Sequence, residues 1–147
     1  MDPITIIGAI AACAQLAGTT AQLGLQLYRF YCDVKSAPEK SKELCDEVSE
    51  LSNVMGELAR TLKAVEQQCD VSNVISVDSL EKYSEFVKDF SSRIQVNKNE
   101  TKKKLKWPLS IKDNEELLTK IERHKTTFTL ALENAVLNVG IAHTYFS

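Results

Sequence analysis

Glycine and proline are scarce in this sequence, with five and three among 147 residues. These two residues end most helices and shape most turns, so their scarcity leaves room for long, uninterrupted helices. The sequence also lacks the strict alternation of polar and apolar residues, and the turn chemistry, that mark a β-sheet. The expected fold class is therefore all-α.

An excess of positive charge is also absent, because 18 Lys and Arg face 20 Asp and Glu, a net charge of -2. Proteins that bind nucleic acid generally carry a basic excess, so we expect no nucleic-acid partner. The apolar and charged fractions, 44% and 26%, are ordinary for a globular protein. The length suits a single domain, residues 1–147, with a sizeable core.

Groups that could support catalysis or ligand binding are few. The two histidines, His124 and His143, lie nineteen residues apart, and His124 falls on an apolar stripe where packing is its expected role. No phosphate-binding glycine loop and no nucleophile elbow occurs. We therefore expect no enzyme, catalytic residue, cofactor or metal. Wide, irregular spacing predicts buried free thiols in a reducing cytosol for the four cysteines, Cys13, Cys32, Cys45 and Cys69.

Four long helices are predicted, with short connections that favour an antiparallel bundle. Asp78 or Ser79 is the expected cap of the third helix, and Asp113 with Glu116 resembles a capping box at the start of the fourth. A solvated loop is expected at Asn97–Lys104, followed by a short extended strap at Leu105–Ile111. The other expected bounds are Pro3 to Asp33 for the first helix, Pro38 to Gln68 for the second and His143 for the end of the fourth.

Apolar residues recur at spacings of three and four along each predicted helix, and those of the second helix form an unbroken heptad stripe. This pattern predicts one core that contains Leu44, Leu51, Leu58, Leu62, Phe90, Ile121 and Phe128.

The stretch from Ile4 to Tyr28 contains no charged residue. As a helix it would be about 37 Å long, enough for a hydrocarbon core of about 30 Å. Its large apolar residues are candidates for membrane insertion: Ile4, Ile6, Ile7, Ile10, Leu16, Leu23 and Leu27. Its small residues are candidates for close packing between helices: Gly8, Ala12, Gly18 and Gly24.

Two interpretations of this helix remain open from its pattern. It could be a central bundle helix that its neighbours bury on all sides. It could also leave the bundle and enter lipid. Periodicity does not distinguish the two. Because Gln15, Gln22 and Gln26 make the helix less hydrophobic than a permanent membrane span, we expect a helix buried on all sides in the resting domain.

A lysine cluster lies next to the sole tryptophan of the chain, Trp107. It could bind anionic lipid, with each Lys near the surface contributing about 1 kcal/mol, or it could simply be a solvated loop. Taken alone, the pattern favours the solvated loop. The candidate lipid contacts are Lys98, Lys102, Lys103, Lys104, Lys106 and Trp107.

Three segments in this order resemble a fungal family: "MDPITIIGAI" at the start, the run from Ser36 to Met55, and the run from Lys104 to Leu132. The chain is similar to the N-terminal HeLo-like, or HELL, domain of fungal STAND (NLR-like) proteins. That family is related to HeLo cell-death domains and to the four-helix bundle of mixed-lineage kinase-like pseudokinases. The resemblance implies an all-α bundle that forms the N-terminal part of a longer protein.

The resemblance also implies a role in programmed cell death, heterokaryon incompatibility or defence. An upstream NLR module or amyloid signalling module would drive self-association of the domain. The domain would then move from the cytoplasm to the plasma membrane, where residues 4–28 would insert and permeabilise the lipids, anionic ones included. The alternative is a non-lytic adaptor domain of an NLR-like receptor, in which the heptad stripe of the second helix binds a partner helix.

Overall fold

Four long helices make up the structure, which is a computed structural model that describes residues 6–34, 37–66, 74–101 and 107–146. Side chains are described for residues 8–34, 37–66, 74–94 and 107–138. Within these ranges there is no β-strand, and the predicted all-α bundle is confirmed. The helices are α1 (Ile6–Asp33), α2 (Ser41–Val65), α3 (Val77–Thr101) and α4 (Ile111–Phe146).

Helices α1 and α2 run antiparallel, and so do α3 and α4. In the pair of α1 and α2, Ser52 donates a hydrogen bond from its hydroxyl to the carbonyl of Ala17 at 3.1 Å, while Gly24 lies beside Val48. In the pair of α3 and α4, Arg93 pairs with Asp113, and the ring of Phe86 packs on that of His124. Helix α2 packs against both α1 and α4, which makes it the central helix of the bundle.

The core is built from the predicted stripes. All seven predicted core residues are fully buried or nearly so, and they belong to one cluster. The heptad stripe of α2 is buried throughout, because this central helix meets neighbours along its whole length. The expectation that an adaptor would bind a partner helix through this stripe is therefore wrong for the folded bundle. Its members are Leu44, Val48, Leu51, Met55, Leu58, Leu62 and Val65.

Serine side chains start α3 and α4, and both predicted caps are wrong. The hydroxyl oxygen of Ser76 accepts a hydrogen bond from the N–H of Ser79 at 3.1 Å. The hydroxyl oxygen of Ser110 likewise accepts one from the N–H of Asp113 at 3.0 Å. A short hydroxyl side chain reaches the N–H three residues on, which otherwise has no partner in a helix. Asp113 therefore lies inside the first turn of α4.

Several predicted bounds also need correction. Helix α3 continues to Thr101, so Asn97–Thr101 is helical instead of looped, since no Gly or Pro interrupts it. Helix α2 begins at Ser41, whose N–H donates to the carbonyl of Pro38 in a preceding turn. Helix α4 extends to Phe146. Of the strap, Trp107–Ser110 is non-helical. Pro3, Gln68 and residues 102–106 lie outside the described residues.

The thiols differ in their surroundings. Cys13 and Cys45 are buried as predicted, and loss of hydration raises the pKa of each thiol to about 12. Cys32 is exposed, contrary to the prediction, because it lies on the outer side of α1. Cys69 lies outside the described residues.

Candidate functional site

The outer face of α1 is exposed to solvent and carries no charge between Ala11 and Tyr28. Leu25 and Tyr28 are 60% and 57% exposed, respectively. Helices on a protein surface normally place Lys and Glu on such a face. The expectation that neighbours bury α1 on all sides is therefore wrong. The exposed residues of this segment are Ala11, Ala14, Gln15, Gly18, Thr19, Ala21, Gln22, Leu25 and Tyr28.

The exposed face is rotated relative to the one that periodicity predicts. Helical spacing puts Gly8, Ala12 and Gln26 on the face opposite the apolar stripe of α1, yet all three are half-buried. Helix α3 covers this side of α1, and Ser84 and Val87 lie across a shallow groove from Ala12.

A hydrogen-bonded pair joins α1 to α3 inside the core. The hydroxyl of Thr20 donates to the carbonyl of Leu16 at 2.6 Å, and its oxygen lies 2.6 Å from the hydroxyl oxygen of Tyr83. Because the Thr20 proton is already engaged, Tyr83 is the donor in the shared bond. Both side chains are fully buried, and burial raises the pKa of the Tyr83 phenol, which keeps it neutral. Sequence pattern placed Thr20 on the buried stripe but gave no sign of its partner.

Small residues bring α1 close to α2. A Cβ at Gly24 would stand 3.4 Å from Cγ1 of Val48, so this glycine lies in the close contact between α1 and α2. A Cβ at Gly18 would meet nothing within 4 Å. Next to Gly18, a recess of about 390 Å³ opens between the two helices, with Gly56 on the α2 side.

The candidate membrane-insertion residues have different positions in the folded bundle. Leu16, Leu23 and Leu27 are buried in the core, and Ile10 is partly buried against it. Ile6 and Ile7 belong to α1, but their side chains are outside the described set, as is all of Ile4.

The candidate self-packing residues do not form one exposed row. Gly18 is exposed, whereas Gly8, Ala12 and Gly24 are half-buried. Gly24 packs closely on α2 within the bundle, and self-association through the whole set stays a prediction. Of these four residues, Gly18 alone lies on the exposed face of α1.

Trp107 does not lie at the surface as a lipid contact would. Its side chain is only 7% exposed, and its indole Nε1–H donates to Oδ1 of Asn114 at 3.0 Å. The amide nitrogen of Asn114 donates in turn to the carbonyl of Lys40 at 3.3 Å. Through Asn114 of α4, the strap at Trp107 is therefore connected to Lys40, just before α2. Lys98 belongs to α3, and Lys102, Lys103, Lys104 and Lys106 lie outside the described residues.

His124 lies in a cluster of aromatic rings between α3 and α4. Its ring centroid is 5.0 Å from those of Tyr83 and Phe86 and 6.4 Å from that of Phe128. Loss of hydration, followed by the nearby charge of Lys120, lowers the pKa of His124 below its ordinary value of 6.5. Among the described residues, no three His, Cys, Asp or Glu side chains are grouped as metal ligands would be.

Ion pairs hold α4 against its neighbours. The ammonium group of Lys125 lies 3.0 Å from a carboxylate oxygen of Glu47 and also pairs with Glu50, both on α2. Arg93 on α3 reaches Asp113 and Glu116 on α4, each at 3.6 Å. These contacts join α4 to α2 and α3 and involve no residue of α1.

Among the helices of the described residues, none combines the length and the apolar character needed to cross a membrane. Comparisons with protein-family models, with curated proteins and with solved structures find no match for the chain.

Proposed function

We propose that this domain is a membrane-permeabilising effector of cell death or defence, in which α1 enters lipid after several copies are clustered. The single observation that supports this best is the solvent-exposed face of α1, which is uncharged from Ala11 to Tyr28. A charge at the centre of a membrane span costs about 2.5–3.5 kcal/mol, whereas a helix that only faces water gains solubility from charges. The resemblance to HeLo-like domains points to the same function.

Clustering has a physical role in this proposal. Gln15 and Gln22 make a single copy of α1 costly to insert, because an amide without a partner is poorly solvated in lipid. Several helices together can pair these amides with one another across close contacts between small residues. An upstream NLR-like receptor or amyloid module would supply the clustering, and the domain would move from the cytoplasm to the plasma membrane.

A second candidate function is a non-lytic adaptor that binds protein partners. The observation that favours it is the firm attachment of the inner face of α1. Burial of Leu16, Leu23 and Leu27 contributes about 5–9 kcal/mol at about 1.5–3 kcal/mol each. That sum is comparable to the whole stability of a typical domain, about 5–15 kcal/mol. An adaptor would not need to release the helix.

Gln15→Lys tests the effector proposal, because Gln15 is exposed on the uncharged outer face of α1. Ala64→Lys is the matched control, since it adds the same charge to an exposed position of α2. We expect both variants to fold like the parent by circular dichroism. In a dye-release assay with liposomes, Gln15→Lys should lose leakage and Ala64→Lys should retain it.

Two outcomes would contradict the effector proposal. One is leakage by the Gln15→Lys variant at the rate of the parent. The other is a parent protein that self-associates but never releases dye at any concentration, which would favour the adaptor. Ala12→Asp is a poorer test, because Ala12 is half-buried and packs against the core.

A further inference from the structure

The exposed face of α1 contains a second row of apolar residues with heptad spacing. Its members follow one another at steps of three, four, three, four and three residues, the spacing of a coiled-coil seam. All six are exposed in the folded bundle, so the row is separate from the buried stripe of the same helix. We call it the outer seam: Ala11, Ala14, Gly18, Ala21, Leu25 and Tyr28.

The outer seam is graded in size. Its first half has only Ala and Gly, and its second half ends in Leu25 and Tyr28, which are more than half exposed. When two copies of such a row are placed antiparallel, the large residues of each copy lie opposite the small residues of the other. Two-fold interfaces require such self-complementarity, because the same surface is used on both copies.

We propose that the outer seam binds the outer seam of a second copy of this chain, with the two α1 helices antiparallel. The register that pairs large with small places Gly18 opposite Ala21, Leu25 opposite Ala14 and Tyr28 opposite Ala11. Parallel pairing would instead set Leu25 against Leu25 and leave a void between the two Gly18 residues. Voids and overpacking each cost stability, so volume selects the antiparallel arrangement.

Space for close approach exists at the centre of this seam. No atom lies within 4 Å of a Cβ built on Gly18, and the recess of about 390 Å³ beside it continues the surface inward. On the α2 side of the recess, Ser52, Asn53 and Gly56 are uncharged, and the exposed Glu57 and Arg60 carry opposite charges. A second helix that approaches over Gly18 therefore meets uncharged residues together with one acidic and one basic side chain.

The size of the surface indicates a weak dimer. The segment from Ala11 to Tyr28 is about 26 Å long, and α1 with the adjoining side of α2 is about 20 Å wide. Each copy would bury about 500 Å², against about 800 Å² per partner in a stable complex. Pairing should therefore be concentration-dependent, as a contact that responds to clustering must be. The inference rests on the self-association in the proposed function and needs no lipid.

Sedimentation analysis of the purified chain without lipid, up to about 1 mM, tests the surface. We expect a monomer–dimer equilibrium that Gly18→Leu weakens at least tenfold, because the added side chain occupies the place of Ala21 from the second copy. Ala64→Leu, which adds an apolar group to an exposed position of α2, should leave the equilibrium unchanged. Circular dichroism should give the same helix content for all three proteins.

Disulfide trapping tests the direction. In a background with Cys32→Ser and Cys69→Ser, mixed Ala14→Cys and Leu25→Cys proteins should form a crosslinked heterodimer, identified by mass. Each variant alone should crosslink little, because like positions lie apart in the antiparallel pair. Parallel pairing would give homodimers of each variant.

A parent that stays monomeric throughout would overturn the inference, as would a dimer insensitive to Gly18→Leu or crosslinking of each variant to itself. Leakage of liposomes does not enter these results. A dimer without leakage supports the outer seam and contradicts the effector proposal. Leakage without a dimer supports the effector proposal and contradicts the outer seam.

Discussion

The bond between Thr20 and Tyr83 offers a quantitative test of how α1 is held in the bundle. Both hydroxyls are fully buried, and the shared bond is 2.6 Å long. Tyr83→Phe removes the donor but leaves Thr20 bonded to the carbonyl of Leu16. We therefore expect a loss of about 1 kcal/mol in the free energy of unfolding, the usual net value of such a bond.

Thr20→Val has a different consequence, although it also removes one bond between the helices. The phenol of Tyr83 would remain buried without an acceptor, and a polar group left in that state costs about 1–3 kcal/mol. Valine keeps the branched shape of threonine, so packing changes little. Thr20→Val should therefore be more destabilising than Tyr83→Phe.

The double variant completes the cycle. With both hydroxyls gone, no buried donor is left unpaired, so the double variant should be about as stable as Tyr83→Phe alone and more stable than Thr20→Val. The coupling energy in the double-mutant cycle should then equal the loss caused by Thr20→Val alone, about 1–3 kcal/mol. Urea unfolding followed by circular dichroism measures all four proteins, with equal slopes as the check that they unfold alike.

Additive effects in this cycle would refute the reasoning, since they would mean that the two hydroxyls do not interact. The same variants also bear on function. If α1 must leave the bundle, Tyr83→Phe should lower the protein concentration needed for liposome leakage. If the domain is an adaptor, stability should fall with no change in partner binding.

Two further predictions concern pH and the lysine cluster. Because the folded state lowers the pKa of His124, stability should be full above about pH 6.5 and fall as the pH drops below it toward the lowered value. His124→Gln should flatten this dependence in urea unfolding between pH 7.5 and 5, and an unchanged slope would assign it to other groups. Replacement of the lysine cluster with Ala should weaken binding to anionic vesicles, and binding of the parent should fall with added salt, since the Debye length is about 8 Å at physiological ionic strength. If a control with four other exposed lysines replaced loses as much vesicle binding, the total charge and not the position of the cluster determines binding. The cluster variant changes Lys102, Lys103, Lys104 and Lys106, and the control changes Lys42, Lys63, Lys82 and Lys88.

The core of this bundle follows from the sequence because apolar periodicity depends on one helix at a time. The stripe of α2 is visible without knowledge of its neighbours, and the same holds for Phe90 on α3 and Phe128 on α4. The angular position of an exposed face is different, because it depends on which helix packs beside it. Helical spacing alone puts Ala12 on the outer face, whereas in the structure α3 lies on that side of α1.

Polar detail was less predictable for a related reason. A tryptophan beside lysines fits a membrane surface on composition, but the nearby Asn114 gives its indole N–H a buried acceptor. Ser110 and Asp113 are both plausible caps by residue type, and only the backbone geometry distinguishes them. The outer seam was visible in the sequence as a row of three and four spacings. Sequence alone does not single this row out, because Ala and Gly have little apolar surface compared with the leucines of the buried stripe.

Two apolar rows on one helix give the uncharged stretch a cause that requires no membrane. The buried stripe of α1 packs in the core, and the outer seam would pack on a second copy. Both rows would therefore exclude charged residues. Insertion into lipid and pairing with a second copy make different predictions for Gln15, Thr19 and Gln22, which are exposed and flank the outer seam. Lipid would exclude charge from all three, because a span is surrounded by hydrocarbon on every side that other helices do not cover. A dimer would tolerate charge there, since such flanking positions remain in water. Gln15→Lys should therefore keep the dimer and lose leakage if both proposals hold, and it should change neither property if the domain is an adaptor.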